Sequence, residues 1–563
     1  MTGQLAEPGP RSARVFGLLA VVLAAAAGGL AFWVAPPGFV GRSGADATFA
    51  ALASGMDGGH GLAYPYGLSA VPATVPPLFA VLLLPAAWLG QGRAVDAVTW
   101  MQAISALVTI SFVLAAYAAC RKALGLSPAV SLAAIAPAAV HPVLVRFGAA
   151  AVPDVLAAAL CLATLALAGR AEHRVAARAS VAPQARLEVP VYAGNAGELL
   201  GIAVMPREAP RRSLLDRAQI VEWWPVAVAA ALAALAGHVA ILVLLALVGA
   251  LLLRRRAPEA IGLVCLSLAM TLPWAAWALL QGGVAEAFSG TRWDLAAVPH
   301  ALWIGLAYAL PGWLIPQVFL AGFPLGGEAA GAVGRMPQNL LAVWGLLMAA
   351  TILGPLWALR KADAVAAQAT GFFALLAVAA GLAWACGFAA PADRGEIGRL
   401  LLPAAPVLGA GLWLWKAGEH RFERLAAERF KGYAALGWVV LVVGFAPVAV
   451  APVRQDAERF ATALPERWAL FAAVGQIAGP DDLVATARPA SMWLYSGRRA
   501  VALPPGARDL AAEVKASGAR YVVGDLADET QTEAFAKAAA LDPDWSRPVY
   551  TTPDKRFAIL ELR

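Results

Sequence analysis

Two carboxylates and a few cationic side chains carry most of the chemical potential of this chain. Asp46 stands in Gly44-Ala45-Asp46-Ala47-Thr48, soon after a first apolar run, and Asp154 heads another run in Ala151-Val152-Pro153-Asp154-Val155. A carboxylate so placed can take a proton from a hydroxyl, hold a cation, or cap the helix that it opens. Asp57 is a further acid in the same region as Asp46, where a solvated loop is the alternative. Arg146, Arg292 and Arg399 lie between apolar runs or at their starts. There a guanidinium can bind a phosphate through paired hydrogen bonds, or anchor a helix by reaching the lipid headgroups. His60 and His141 can ligate a metal or a polar substrate, but no local spacing ties them to the acids, and packing is the competing reading. The glycine-rich stretches Gly55–Gly61 and 323–327 lack the Lys-Ser/Thr ending of a phosphate-binding loop, so nucleotide binding is unsupported.

The elements that must position these residues are set by composition. Of 563 residues, 60% are hydrophobic and 14% charged, against roughly 25% charged in a soluble domain. Repeated apolar runs of about 20 residues predict a multi-pass α-helical membrane protein. This excludes a soluble enzyme, a secreted disulfide scaffold and a disordered chain. The net charge is +7, but the surplus Lys and Arg fall in short clusters between apolar runs. Those clusters report membrane orientation and give no reason to expect a nucleic-acid partner. Cys120, Cys161, Cys265 and Cys386 lie in or at the ends of apolar runs, so they read as packing residues.

Charge clusters predict the path. Val15–Ala35 is a retained anchor leaving a cytoplasmic N-terminus, and residues 36–97 form an outer loop in which Val75–Leu89 is too short to cross. Val98–Cys120 returns inward to Arg121-Lys122, Ala129–Val145 crosses outward, and Asp154–Ala168 crosses back to a cytoplasmic insertion over 171–222. The apolar stretch from Trp224 to Arg254 has basic residues at both ends and predicts a hairpin broken at Gly237-His238. Ala260–Leu280, Leu340–Leu359, Gln368–Ala389, Leu400–Trp415 and Tyr433–Val450 complete about 11 crossings. The chain divides into a membrane part, 1–453, and a charged tail, 454–563. In the tail Asp482–Thr486, Ala500–Leu503, Arg520–Gly524 and Phe557–Leu562 read as strands, with Ala507–Ala516 and Thr532–Ala540 as helices. The expected fold class is a polytopic helical membrane protein with a small C-terminal α/β domain outside the cytoplasm.

Several motifs follow one another in a familiar order. They are the acid at Asp46 after the first anchor, the glycine segment to Gly61, Pro76-Pro77-Leu78-Phe79, the helix-heading Asp154, and Arg399-Leu400-Leu401-Leu402-Pro403. Together they resemble the glycosyltransferase C superfamily, in its protein O-mannosyltransferase and aminoarabinose transferase branch (glycosyltransferase family 39-like). The tyrosine of that branch's Arg-Tyr-Leu-x-Pro signature is Leu400 here.

The resemblance implies an inverting glycosyltransferase that moves a hexosyl or pentosyl group from a polyprenyl-phosphate donor to a hydroxyl of a lipid, glycan or protein. It would work at the outer face of the inner (cytoplasmic) membrane, with its tail in the periplasm. Asp46 would be the general base and Asp154 would orient the acceptor or a metal. Arg399, with Arg146 and Arg292 as weaker candidates, would bind the phosphate, with His60 and His141 also on the substrate side. No cofactor is required by the resemblance, which leaves a divalent cation open. The partners are the lipid-linked donor, its acceptor and membrane lipids, with no nucleic acid. A transporter or flippase of lipid-linked sugars is the alternative. It calls for inverted repeats and charges at mid-membrane, which the apolar runs lack.

Overall fold

The computed structural model describes residues 10–40, 45–61, 63–64, 71–72, 76–187, 212–237, 241–280, 364–387, 428–444, 446–503, 510–526, 529–542 and 544–563. The first described element is helix α1 (Pro10–Val34), with proline in its first turn, where the missing N–H costs nothing. Ala20, Leu23, Ala24, Ala27 and Ala31 are buried at helical spacing, while Val15, Leu18, Val22 and Trp33 face outward. Small residues thus line the protein side of the helix and large apolar ones the lipid side, as membrane helices require. After α1 come α2 (Ala45–Asp57), the short pair β1 (Ala63–Tyr64) and β2 (Val71–Pro72), and α3 (Leu78–Leu89). At 12 residues, interrupted by Pro85, α3 is about 18 Å long and cannot cross a core of about 30 Å.

The helical body continues with α4 (Ala94–Lys122), α5 (Pro128–Ala139), α6 (Pro142–Gly148), α7 (Asp154–Leu187), α8 (Arg212–Ala236), α9 (Ile241–Leu253), α10 (Ala257–Leu280), α11 (Val365–Gly387) and α12 (Glu428–Gly444). Among the described residues four helices are long and apolar enough to cross a membrane, and five if the bent pair α5–α6 is one span. The expected crossings at Leu340–Leu359 and Leu400–Trp415 lie outside the described residues.

Close approach among α1, α4, α6 and α7 depends on glycine. A Cβ on Gly28 would lie 2.6 Å from Ile110 Cγ1, one on Gly148 would lie 2.6 Å from Thr109 Oγ1, and one on Gly169 would strike the Lys122 carbonyl. At the Lys122 end, the Glu172 carboxylate accepts from the Val365 and Ala366 amides at 2.7 and 3.0 Å, capping α11. Arg174 pairs with buried Glu222 at 3.2 Å, and Arg256 with buried Glu259 at 2.9 Å.

Three expectations change. Ala129–Val145 is not one straight helix: α5 and α6 meet at 68°. Pro142 disfavours the helical conformation for the residue before it, and His141 takes φ −67°, ψ 134°. Asp154–Ala168 extends as helix to Leu187, and α8 begins at Arg212, so both ends of the 171–222 insertion are helical. Helix α8 ends at Ala236 and α9 begins at Ile241, but α8 packs mainly against α7 and α10, and α9 mainly against α11, so the two pieces do not pair along their lengths.

Helix α13 (Ala446–Thr462) runs through the expected 453/454 division and leads into an α/β unit. The unit comprises α14 (Leu464–Ile477), β3 (Leu483–Thr486), α15 (Pro489–Ser496), β4 (Arg499–Ala502), α16 (Leu510–Ala516), β5 (Tyr521–Asp525), α17 (Glu529–Leu541), β6 (Ser546–Thr551) and β7 (Phe557–Leu562). Its sheet order is β4-β3-β5-β7-β6, with β4, β3 and β5 parallel and β7 and β6 antiparallel. Alternation along the strands splits the core. Val484, Ala500, Tyr521, Val523, Phe557 and Ile559 face α14, while Leu483, Ala485 and Val522 face α16 and α17.

The unit is fastened to the helical body by Phe39, in the segment after α1. Its ring stacks on Tyr495 at 5.0 Å and meets Phe460, Trp468 and Phe471 at 5.4–6.2 Å.

Candidate functional site

The site grows from the segment between α1 and α2. Gly38 adopts φ +69°, and a Cβ there would collide with Val95, so only glycine fits this turn. Gln102, buried on α4, binds the segment three times. Its Nε2 donates to the carbonyls of Pro36 and Phe39 at 2.8 and 3.1 Å, and its Oε1 accepts from Gly38 N at 3.3 Å. From the opposite side the Tyr495 hydroxyl accepts from Val40 N at 2.8 Å and donates to the Gly38 carbonyl at 3.3 Å. A glutamine of a membrane helix and a tyrosine of the α/β unit therefore fix the same five residues.

That segment leads to Asp46 in the first turn of α2, where a carboxylate is favoured by the helix dipole. Ala47, Phe49 and Ala50 to Ala53 are buried against α3, α4 and α15. Asp46 itself is 3% exposed, and its Oδ1 accepts from Ala47 N at 2.8 Å. Burial pushes the Tyr495 phenol well above its ordinary pKa, and the nearby Asp46 carboxylate raises it further, so Tyr495 stays neutral and able to donate.

Asp154 opens α7 and is half-buried. Ala151, three residues earlier, belongs to the apolar cluster that buries Ala47, and Leu156 packs against that cluster. The first turns bearing Asp46 and Asp154 therefore border one core, beneath Ala490 and Leu494 of α15. Arg146 lies in the last turn of α6 at the same end, half-buried, with its guanidinium 5.5 Å from the Phe147 ring centroid. Neighbouring Val145 packs with Val34 and with Val450 and Val453 of α13.

His141 is buried and caps α6, its Nδ1 accepting from Val143 N at 3.1 Å. His60 follows α2 and is exposed, as is Asp57 at the end of α2. Arg399 and Arg292 lie outside the described residues. Among the described residues no three His, Cys, Asp or Glu side chains converge as a metal-binding group. Cys120 and Cys161 are buried, and Cys265 is exposed.

Sequence reasoning passed over Gln102 and Tyr495. Gln102 had a signal, as a lone amide within an apolar run, where a polar group must find a partner. Tyr495 had none, because its partners lie more than 450 residues away.

No protein-family profile and no characterised protein sequence matches the chain. Solved structures do. The oligosaccharyltransferase AglB from Archaeoglobus fulgidus, in complex with an inhibitory peptide and a dolichol-phosphate, is similar over 98% of this chain and 74% of its own, with TM-score 0.54 and 12% identity. ArnT from Cupriavidus metallidurans is similar in the apo state over 97% of both chains, with TM-score 0.50 and 14% identity. ArnT bound to undecaprenyl phosphate is similar over 98% of both, with the same score and identity. Over nearly its whole length, the chain shares the fold of these AglB and ArnT structures.

Proposed function

We propose that the chain is an inverting glycosyltransferase that takes a sugar from a polyprenyl-phosphate donor and joins it to a hydroxyl of a lipid, glycan or protein acceptor. The observation that carries this reading is the placement of Asp46. It is a buried carboxylate in a first helical turn, six residues after a segment held from both sides, in a chain similar in fold to ArnT bound to undecaprenyl phosphate and AglB with a peptide and a dolichol-phosphate. In the proposed step Asp46 takes the proton of the acceptor hydroxyl as its oxygen attacks the anomeric carbon. The bond from that carbon to the phosphate oxygen breaks, the polyprenyl phosphate leaves with the electron pair, and the configuration inverts. Asp154 orients the acceptor, and Arg399, Arg146 and Arg292, with His60 and His141 nearby, meet the phosphate as its charge grows.

The reading divides the chain into a membrane part of about 11 crossings, residues 1–453, and an outer α/β domain, residues 454–563. Lys122, Arg170 and Arg254 to Arg256 gather at the end of the helical body away from the α/β unit. That supports an outer-face site in a cytoplasmic membrane. The test is transfer of labelled sugar by the purified protein from a panel of polyprenyl-phosphate hexoses and pentoses, mannose included. Asp46→Asn should abolish product at unchanged yield and melting temperature. Activity retained in that variant would refute the role of Asp46, and movement of lipid across vesicles without product would favour a flippase.

A further inference from the structure

Ligands of open α/β sheets settle beyond the carboxyl ends of parallel strands, where successive connections diverge. Here β3 connects through α15 to β4 on one side, and β4 returns through α16 to β5 on the other, so the divergence falls between β3 and β5. Three arginines gather there. Arg488 follows β3, its backbone N–H donating to Thr486 Oγ1 at 3.4 Å. Arg467 comes from α14 and Arg556 from the residue before β7, and their guanidiniums lie 6.0 and 5.3 Å from the centroid of one ring, that of Phe557.

Arg467 is the anomaly. It is 8% exposed, and among the described residues its guanidinium has neither a hydrogen bond nor a salt bridge. Its charge faces the Phe460 ring at 4.4 Å and the Phe39 ring at 5.9 Å. A buried cation ordinarily has an anion as well as aromatic faces beside it. The acids close by are otherwise engaged. Asp525 lies 3.6 Å from Arg556 Nε, and Glu466 is hydrogen-bonded to Asp554. Burial lowers the Arg467 pKa to about 10, and repulsion from Arg488 and Arg556 contributes, yet at neutral pH the guanidinium keeps its charge.

We propose that Arg467, Arg488 and Arg556 bind a phosphate group, free or carried by a lipid, at the divergence of β3 and β5. A phosphate accepts from several guanidiniums at once and offsets their mutual repulsion, which a single carboxylate such as Asp525 does less well. The site is distinct from Asp46 and does not depend on the transferase reading. It is nevertheless joined to the segment before Asp46, because Phe39 lies against both Arg467 and Tyr495.

The test uses the full chain in detergent, titrated with inorganic phosphate in one arm and soluble dihexanoyl phosphatidic acid in the other, followed by phosphorus resonance broadening. Saturable binding of at least one probe is expected, weakened about tenfold or more in Arg467→Met. Should that variant fail to fold for loss of its aromatic contacts, Arg488→Gln decides, because Arg488 is exposed. Binding of both probes marks a general phosphate site, and binding of the lipid alone marks a headgroup site. No saturable binding of either probe, or wild-type affinity in Arg488→Gln and in any folded Arg467→Met, overturns the proposal.

Discussion

The Tyr495 hydroxyl accepts a hydrogen bond of 2.8 Å from the Val40 amide, across 455 residues of sequence, and the same phenol ring stacks on Phe39 at an interplanar angle of 7°. Tyr495→Phe separates the two contributions, since the ring remains and the acceptor goes. A buried amide left without an acceptor costs about 1–3 kcal/mol. The variant should lose that much stability by chemical denaturation, and Tyr495→Ala should lose more. Equal losses in the two variants would assign the whole effect to the hydroxyl and none to the ring.

Gln102→Leu fills nearly the same volume but strips three partners from the segment over Pro36 to Phe39. The Gly38 amide and two carbonyls lose their bonds, so a loss of about 1–3 kcal/mol is expected. Ser111→Ala is the comparison. Its hydroxyl only returns to the Leu107 carbonyl of its own helix, and no change in melting temperature should follow.

Gly169 and Gly17 make an opposed pair of glycines in membrane helices. A Cβ on Gly169 meets the Lys122 backbone, whereas one on Gly17 has nothing within 4 Å. Gly169→Ala should push α4 and α7 apart at a cost of about 1–3 kcal/mol. Gly17→Ala should be neutral or stabilising by up to about 1 kcal/mol through helix propensity. Melting temperatures in one detergent check both signs.

Much of this architecture is legible from sequence, for definable reasons. Strand β7 has the bounds that its alternating pattern predicts, and the break after Ala236 follows from basic residues at both ends of one apolar stretch. The β6 strand was invisible: it is a largely exposed edge containing Pro548, with no alternating apolar face. The eight residues of α15 are too few to display a period. The turn at His141 was available from Pro142 but outweighed by the apolar run around it. Among the candidate site residues, charge placed Asp46 and Asp154 at one end of the body. The Gln102 and Tyr495 contacts join distant segments, and no local pattern encodes them.

Acid should loosen the far edge of the sheet. The hydrogen bond from Arg547 Nη2, at 2.6 Å, holds the Glu561 carboxyl below its ordinary range, and Arg520 at 3.3 Å adds to this. A carboxylate with a depressed pKa contributes stability above its unfolded pKa, near 4.3, that is lost as pH falls through the lower folded value. Melting temperature should therefore drop in that window, and Glu561→Gln should flatten the drop. An unchanged acid limb in the variant would remove Glu561 as its source.

The Phe39 cage also sets a timetable for synthesis. Phe39 leaves the ribosome early, whereas Phe460, Trp468, Phe471 and Tyr495 are still more than 400 residues from being made. At about 5–20 residues per second the bare ring waits roughly 20–90 seconds for its neighbours. Throughout that interval the stretch ahead of Asp46 lacks half its anchorage, so a nascent chain stalled before residue 460 would display an aromatic side chain that chaperones can bind.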